Sequence, residues 1–160
     1  FNPDFATKLY DLLTPGAIRV CNAVKSKKRL FQDLAETAAA AHQIDESLAI
    51  DALLERESLG PTGVGHGVAL PHARIEGIKS VRGVFIRLDR PLDYGSVDRA
   101  PVDLVFALFA PLDAGVEHLK ALASVSRTLR DSAICAKLRA NEDTDKLYAI
   151  LCEQPDSKAA

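Results

Sequence analysis

Two of the four histidines in the chain stand where a ring nitrogen could do chemistry. His72 closes the run Gly67-Val68-Ala69-Leu70-Pro71-His72. Pro71 fixes its own φ and pushes Leu70 toward an extended backbone, so the imidazole is expected at a defined loop or strand edge. A histidine changes charge near neutral pH, and its neutral ring is a competent nucleophile. His118 falls in the first turn of a helix expected to start at Gly115. The N–H groups there lack intrahelical partners and the dipole is positive, which attracts anions and disfavours imidazolium. A neutral His118 could donate one N–H to a phosphate. The bland alternatives are a half-exposed polar residue for His72 and a surface residue of an amphipathic helix for His118.

Two further residues fit an anion. Arg56 carries a fork of donors matched to phosphate oxygens, although beside Glu55 and Glu57 it also reads as a solvated surface charge. Thr62 brings a hydroxyl and a backbone N–H into Gly60-Pro61-Thr62-Gly63-Val64-Gly65-His66-Gly67, whose four glycines permit unusual backbone angles and close approach of another group. The segment matches neither a dinucleotide fingerprint nor a Walker A loop. A cradle around an oxyanion fits it better. His66, His72 and His118 lack the tight spacing of metal ligands, and no metal or other cofactor is expected. Asp89, Asp93, Asp98 and Asp103 read as turn and edge residues rather than a carboxylate pair.

The elements that must position these residues follow from periodicity. Leu9, Leu12 and Leu13 suggest a short helix or turn stopped by Pro15-Gly16, and Ile18 and Val20 a strand. A helix from Ser26 carries Leu30, Phe31, Leu34, Ala35 and Ala38; Asp45 caps a second, which Gly60 is placed to end. The glycine segment is expected to be irregular. Strands are expected over Val68 to Pro71, Val81 to Leu88 and Val102 to Phe109, the last apolar enough to be covered on both faces. A helix from Gly115 to Arg130 is expected to bury Leu119, Leu122, Ala123, Val125, Ser126 and Leu129. Two short helices follow near Ser132–Ala140 and Thr144–Cys152. Interspersed helices and strands point to an α/β sandwich, a mostly buried sheet with helices on both faces.

Composition excludes several classes. The chain has 160 residues, 20 Lys and Arg against 22 Asp and Glu, and a formal charge of −2. A dedicated nucleic-acid binder carries a basic excess, and the one basic run, Lys25-Ser26-Lys27-Lys28-Arg29, reads as a solvated helix start. The longest clean apolar run, Leu104 to Ala110, is far short of the about 20 residues of a membrane helix, so no membrane insertion is expected. Cys21, Cys135 and Cys152 are odd in number and widely spaced, as reduced thiols in a cytoplasmic protein would be. Phe1-Asn2-Pro3-Asp4 does not resemble a secretory leader; the chain does not begin with Met, which leaves its natural start open.

The blocks Arg56-Glu57-x-x-Gly60-x-Thr62-Gly63-x-Gly65-x-Gly67-x-Ala69-x-Pro71-His72 and Pro101-Val102-Asp103-Leu104-Val105-Phe106-Ala107-Leu108, then Pro111, then His118-Leu119-x-x-Leu122, resemble enzyme IIA of the phosphoenolpyruvate-dependent phosphotransferase system. The likeness is to the mannitol/fructose branch and, within it, to the nitrogen-regulatory proteins. It implies one α/β domain over residues 6–152, a sandwich with a mixed sheet of about five strands between helices, and a frayed tail over 153–160. It implies phosphorylation of His72 at Nε2 by an HPr-like carrier, His118 stabilising the phosphoryl group, and Arg56 and Thr62 binding it. It suggests a potassium transporter, a sensor kinase or a stringent-response enzyme as regulated targets. Pro61 departs from the Ser common in the family, and His66 takes a variable position often held by Asn. Two other roles stay open on the residues: a sugar-transport component passing phosphate to a IIB domain, and a non-catalytic anion- or protein-binding module.

Overall fold

Pro71 interrupts what would otherwise be one strand, and the site grows from that interruption. The computed structural model describes residues 7–153. Strands β3 (Val68–Ala69) and β4 (His72–Ile75) both run parallel to β6 (Val102–Pro111). They share one register, with Val68 opposite Leu104 and His72 opposite Leu108. Proline has no N–H for the ladder, so Pro71 contributes only its carbonyl, which accepts from Leu108 N–H of β6 at 3.0 Å, and regular pairing resumes at His72.

The remaining strands complete a mixed sheet. β5 (Arg82–Leu92) lies antiparallel to β6, and β1 (Ile18–Cys21) parallel to β5. β2 (Gly63–Gly65) pairs antiparallel with β3 at the opposite edge. Among the described residues six strands result rather than about five, because the glycine segment is not wholly irregular: its middle forms β2. His66 and Gly67 make the turn to β3 with φ of 57° and 81°, the positive angles that a tight two-residue hairpin turn needs. Histidine tolerates this region better than most side chains. A β-carbon on Gly63 would lie 2.0 Å from Ser96 Oγ, so only glycine passes there.

Every residue from Leu104 to Ala110 is fully buried. Successive strand residues face opposite ways, so both faces of the sheet are covered. Helices α2 (Lys27–His42) and α3 (Glu46–Ser58) pack on β5 and β4. Helices α4 (Val116–Leu129) and α6 (Thr144–Cys152) pack on β6 and β1; α5 (Ser132–Arg139) joins them, and α1 (Leu9–Leu12) lies against α4 and α6. Ser26, Asp45, Asp131 and Asp143 cap α2, α3, α5 and α6 with their side-chain oxygens. No helix among the described residues is long and apolar enough to cross a membrane.

One expectation is corrected here. The buried stripe of α4 carries His118, Ala121, Ser124, Val125 and Leu129, whereas Leu119 is 66% exposed and Ala123 is exposed. The apolar residues of α4 are numerous enough to draw two stripes, and the packed one is set by contact with β6. Where the tail over 153–160 is expected to begin, Glu153 N–H donates to the Ala149 carbonyl at 2.8 Å. The rest of that tail, and Ala6, lie outside the described residues.

His42 ties α2 to the sheet: its Nε2–H donates to the Gly83 carbonyl of β5 at 2.8 Å. Burial holds its pKa below the ordinary 6.5 against the pull of that bond. The neutral ring is therefore the folded form, and the stability it contributes is complete above about 6.5 and lost as pH falls toward the lower folded value. His42→Ala should cost about 1–2 kcal/mol in urea unfolding at pH 7.5 and flatten the decline in stability below pH 6.5.

Candidate phosphoryl-transfer site

The position of His72 follows from strand geometry. The N–H and C=O of one strand residue point to the same side. Leu70 N–H donates to the Thr62 carbonyl at 2.9 Å, away from β6, so the Leu70 carbonyl also points outward at the sheet edge. It accepts a hydrogen bond from His72 Nδ1 at 2.8 Å. A carbonyl oxygen only accepts, so Nδ1 carries the proton and the neutral ring presents an unprotonated Nε2. The ring is half-buried.

His118 lies beside it, with ring centroids 5.6 Å apart and planes at 70°. It sits in the first turn of α4, where Gly115 at the N-cap brings no side chain to the backbone N–H groups. The residue is 7% exposed, and its Nε2 is buried without a hydrogen-bond partner among the described residues. Burial first, then His72 and Arg74, push its pKa below 6.5, which keeps the ring neutral at pH 7. A neutral ring with one unmatched buried nitrogen can donate to an oxyanion placed between the two histidines.

Arg56 and Thr62 are brought to a different cluster. Glu57, whose side chain is 7% exposed, gathers four donors. Its Oε2 accepts from Lys27 Nζ at 2.8 Å and from Thr62 N–H at 3.0 Å; its Oε1 accepts from Thr62 Oγ1 at 2.5 Å and from Tyr94 OH at 3.3 Å. Both donors that Thr62 offers are thus engaged by Glu57. The buried Tyr94 has its phenol pKa raised, mainly by burial, and Lys27 Nζ stands 4.3 Å from its ring centroid. Arg56, half-buried in the last turn of α3, donates from Nη1 to the Gly60 carbonyl at 3.1 Å. Its other guanidinium N–H groups have no hydrogen-bond partner among the described residues.

Sequence reasoning missed two residues. Glu57 enters the sequence reading only as a neighbour of Arg56 and a member of the motif, and its signal is the five-residue spacing to Thr62 across a helix end. Arg74 shares the face of β4 with His72, two residues on, is exposed, and is close enough to depress His118. The strand period of two could have found it. Its Nη1 donates to the Leu112 carbonyl at 3.1 Å. Around this point Leu112, Val116 and Leu119 are exposed, an apolar patch beside a cation. Among the described residues, no group of three or more His, Cys, Asp or Glu is placed to hold a metal.

The family model described as phosphoenolpyruvate-dependent sugar phosphotransferase system, EIIA 2, matches residues 11–154. The chain is 47% identical over 149 residues to a nitrogen regulatory protein of Bradyrhizobium diazoefficiens, covering 93% of this chain and 97% of that one. It is 36% identical over 154 residues to a nitrogen regulatory protein of Escherichia coli, covering 95% and 94%. The crystal structure of nitrogen regulatory protein IIA-Ntr from Neisseria meningitidis superposes with a TM-score of 0.81 at 34% identity, covering 88% of this chain and 97% of that one.

Removing the Glu57 carboxylate strands Lys27, Thr62 and Tyr94 together. Glu57→Ala should lower unfolding stability by about 3 kcal/mol, and Glu57→Gln by less, in denaturant titrations. Carbon-detected NMR titration of the imidazoles should find the His118 midpoint below 6.5; a midpoint at or above that value would show the ring to be solvated.

Proposed function

The chain belongs to the EIIA 2 family of the phosphoenolpyruvate-dependent phosphotransferase system, whose members are phosphotransferases carrying a phosphohistidine, and on that premise we propose that His72 is the phosphorylated residue. The observation that carries the reading is the Nδ1–H bond to the Leu70 carbonyl, which leaves Nε2 as the ring's lone-pair nitrogen. The donor is a phosphohistidine on a small HPr-like carrier. His72 Nε2 attacks phosphorus in line, the P–N bond to the carrier breaks, and the carrier imidazole leaves with the bonding pair. Positive charge appearing on the His72 ring is met by the Leu70 carbonyl.

Positioning and fixed donors do most of the work in such a transfer. The unmatched Nε2 of His118 donates to an equatorial oxygen, and Arg74 and the first turn of α4 add positive potential. Arg56 supplies its remaining donors from the loop side. Thr62 acts by holding the loop through Glu57. The phosphoryl group adds roughly −1.5 to −2 charges at this point, by analogy with other phosphorylated side chains. That changes which partner surfaces fit the patch of Leu112, Val116 and Leu119. The relatives named nitrogen regulatory proteins favour a regulatory relay, in which the phosphorylation state of a cytoplasmic protein alters its binding to target proteins.

Incubation with labelled phosphoenolpyruvate, enzyme I and an HPr-like carrier tests the reading. Wild-type protein should take up an acid-labile label that is absent from His72→Ala. His118→Ala should slow uptake roughly 10²-fold with the fold intact, the usual effect of losing one oxyanion donor. Label persisting on His72→Ala, or no label on wild type with donors active on a control acceptor, would overturn it.

A further inference from the structure

A second concavity lies away from the histidine pair. It has a volume of about 540 Å³ and opens between the β2–β3 hairpin and the C-terminal part of α4. Leu129 and Arg130 line it, whereas His72, His118 and Arg56 do not. Leu129 is eleven residues beyond His118, about 16 Å further along the helix axis. The volume falls within the usual range for small-molecule sites.

The lining sorts into an apolar floor and a cationic rim. Val68, Leu70 and Leu129, all buried, form the floor. Arg130, Arg139 and His66 stand on the rim, and among the described residues no acidic one lines the cavity. Arg139 is neutralised and locked: Nε donates to Asp103 Oδ2 at 2.9 Å, and Nη2 donates to Asp103 Oδ1 at 2.9 Å and to the His66 carbonyl at 2.8 Å. It acts as a wall that fixes the hairpin. Arg130 has no ion-pair partner among the described residues and is the uncompensated charge. A short apolar body with one carboxylate fits this arrangement, since the chain covers the floor and the guanidinium accepts the carboxylate in its fork.

We propose that this cavity binds a small organic monocarboxylate with a short apolar chain, held by Arg130 over Val68, Leu70 and Leu129, and that its occupancy is sensed at His72. The link is Leu70, which lines the cavity and whose carbonyl anchors the His72 ring at 2.8 Å. An occupant that displaces Leu70 moves the atom that fixes the ring.

Hexanoate and hexanol, titrated into isotope-labelled full-length protein and followed by amide and imidazole NMR, test this without any phosphoryl donor. The outcome is therefore separable from that of the labelling experiment. Hexanoate should give saturable shifts at Val68, Leu70 and Leu129 with a dissociation constant on the order of 1 mM, and the His72 ring should move with the same midpoint. Arg130→Ala should weaken binding about tenfold, and Ser132→Phe, an exposed lining residue made large enough to fill the space, should abolish it. Non-saturable shifts, equal binding of hexanol or unchanged affinity in Arg130→Ala would overturn the site. A His72 ring that stays still while the cavity amides saturate would overturn the coupling.

Discussion

The hydrogen bond from His72 Nδ1 to the Leu70 carbonyl is the contact on which the site depends. It forms where a proline interrupts the regular pairing of a strand. Had residue 71 carried an N–H, β3 and β4 would pair with β6 without a gap. Strand alternation turns the Leu70 carbonyl away from β6, two residues from an imidazole that reaches it. A backbone acceptor cannot be ionised or swung aside as a side chain can. The proton is thereby assigned to one ring nitrogen, and the other faces outward with its lone pair.

The rest of the fold holds this edge in place. β6 is buried on both faces and gives β3 and β4 one register. The Thr62 carbonyl, just before β2, takes the Leu70 N–H, and Thr62 is tied down by Glu57. Glu57 binds α2 through Lys27, the loop through Thr62 and the buried Tyr94 at once. A carboxylate this enclosed would be costly without partners, and it has four. From the other side, α4 delivers His118 at an end where its backbone dipole is positive. The two histidines thus meet because two independent supports, a strand edge and a helix start, converge.

Much of this was legible in the residues. Pro71 before His72, the glycines of the loop and Ser26 and Asp45 as caps each act through local backbone chemistry, which a sequence displays directly. The continuous apolar run of β6 announced a doubly covered strand. What was hidden depended on tertiary choice. The α4 sequence holds two apolar stripes, and only packing on β6 decides that His118 goes in and Leu119 stays out. Thr62 looked like a donor for an incoming anion because its partner Glu57 sits on another element. Lys27 looked solvated within its basic run for the same reason. β2 was obscured because glycine has little strand preference and pairs there only because β3 already lies alongside β6.

The tautomer of His72 is the most direct test. Long-range proton–nitrogen correlation on the unphosphorylated protein above pH 7.5 distinguishes a protonated ring nitrogen from an unprotonated one. The geometry predicts a pattern with the proton on Nδ1 and a pyridine-type Nε2. A proton found on Nε2 would mean that Leu70 does not anchor the ring, and the assignment of Nε2 as the phosphoryl acceptor would fall with it.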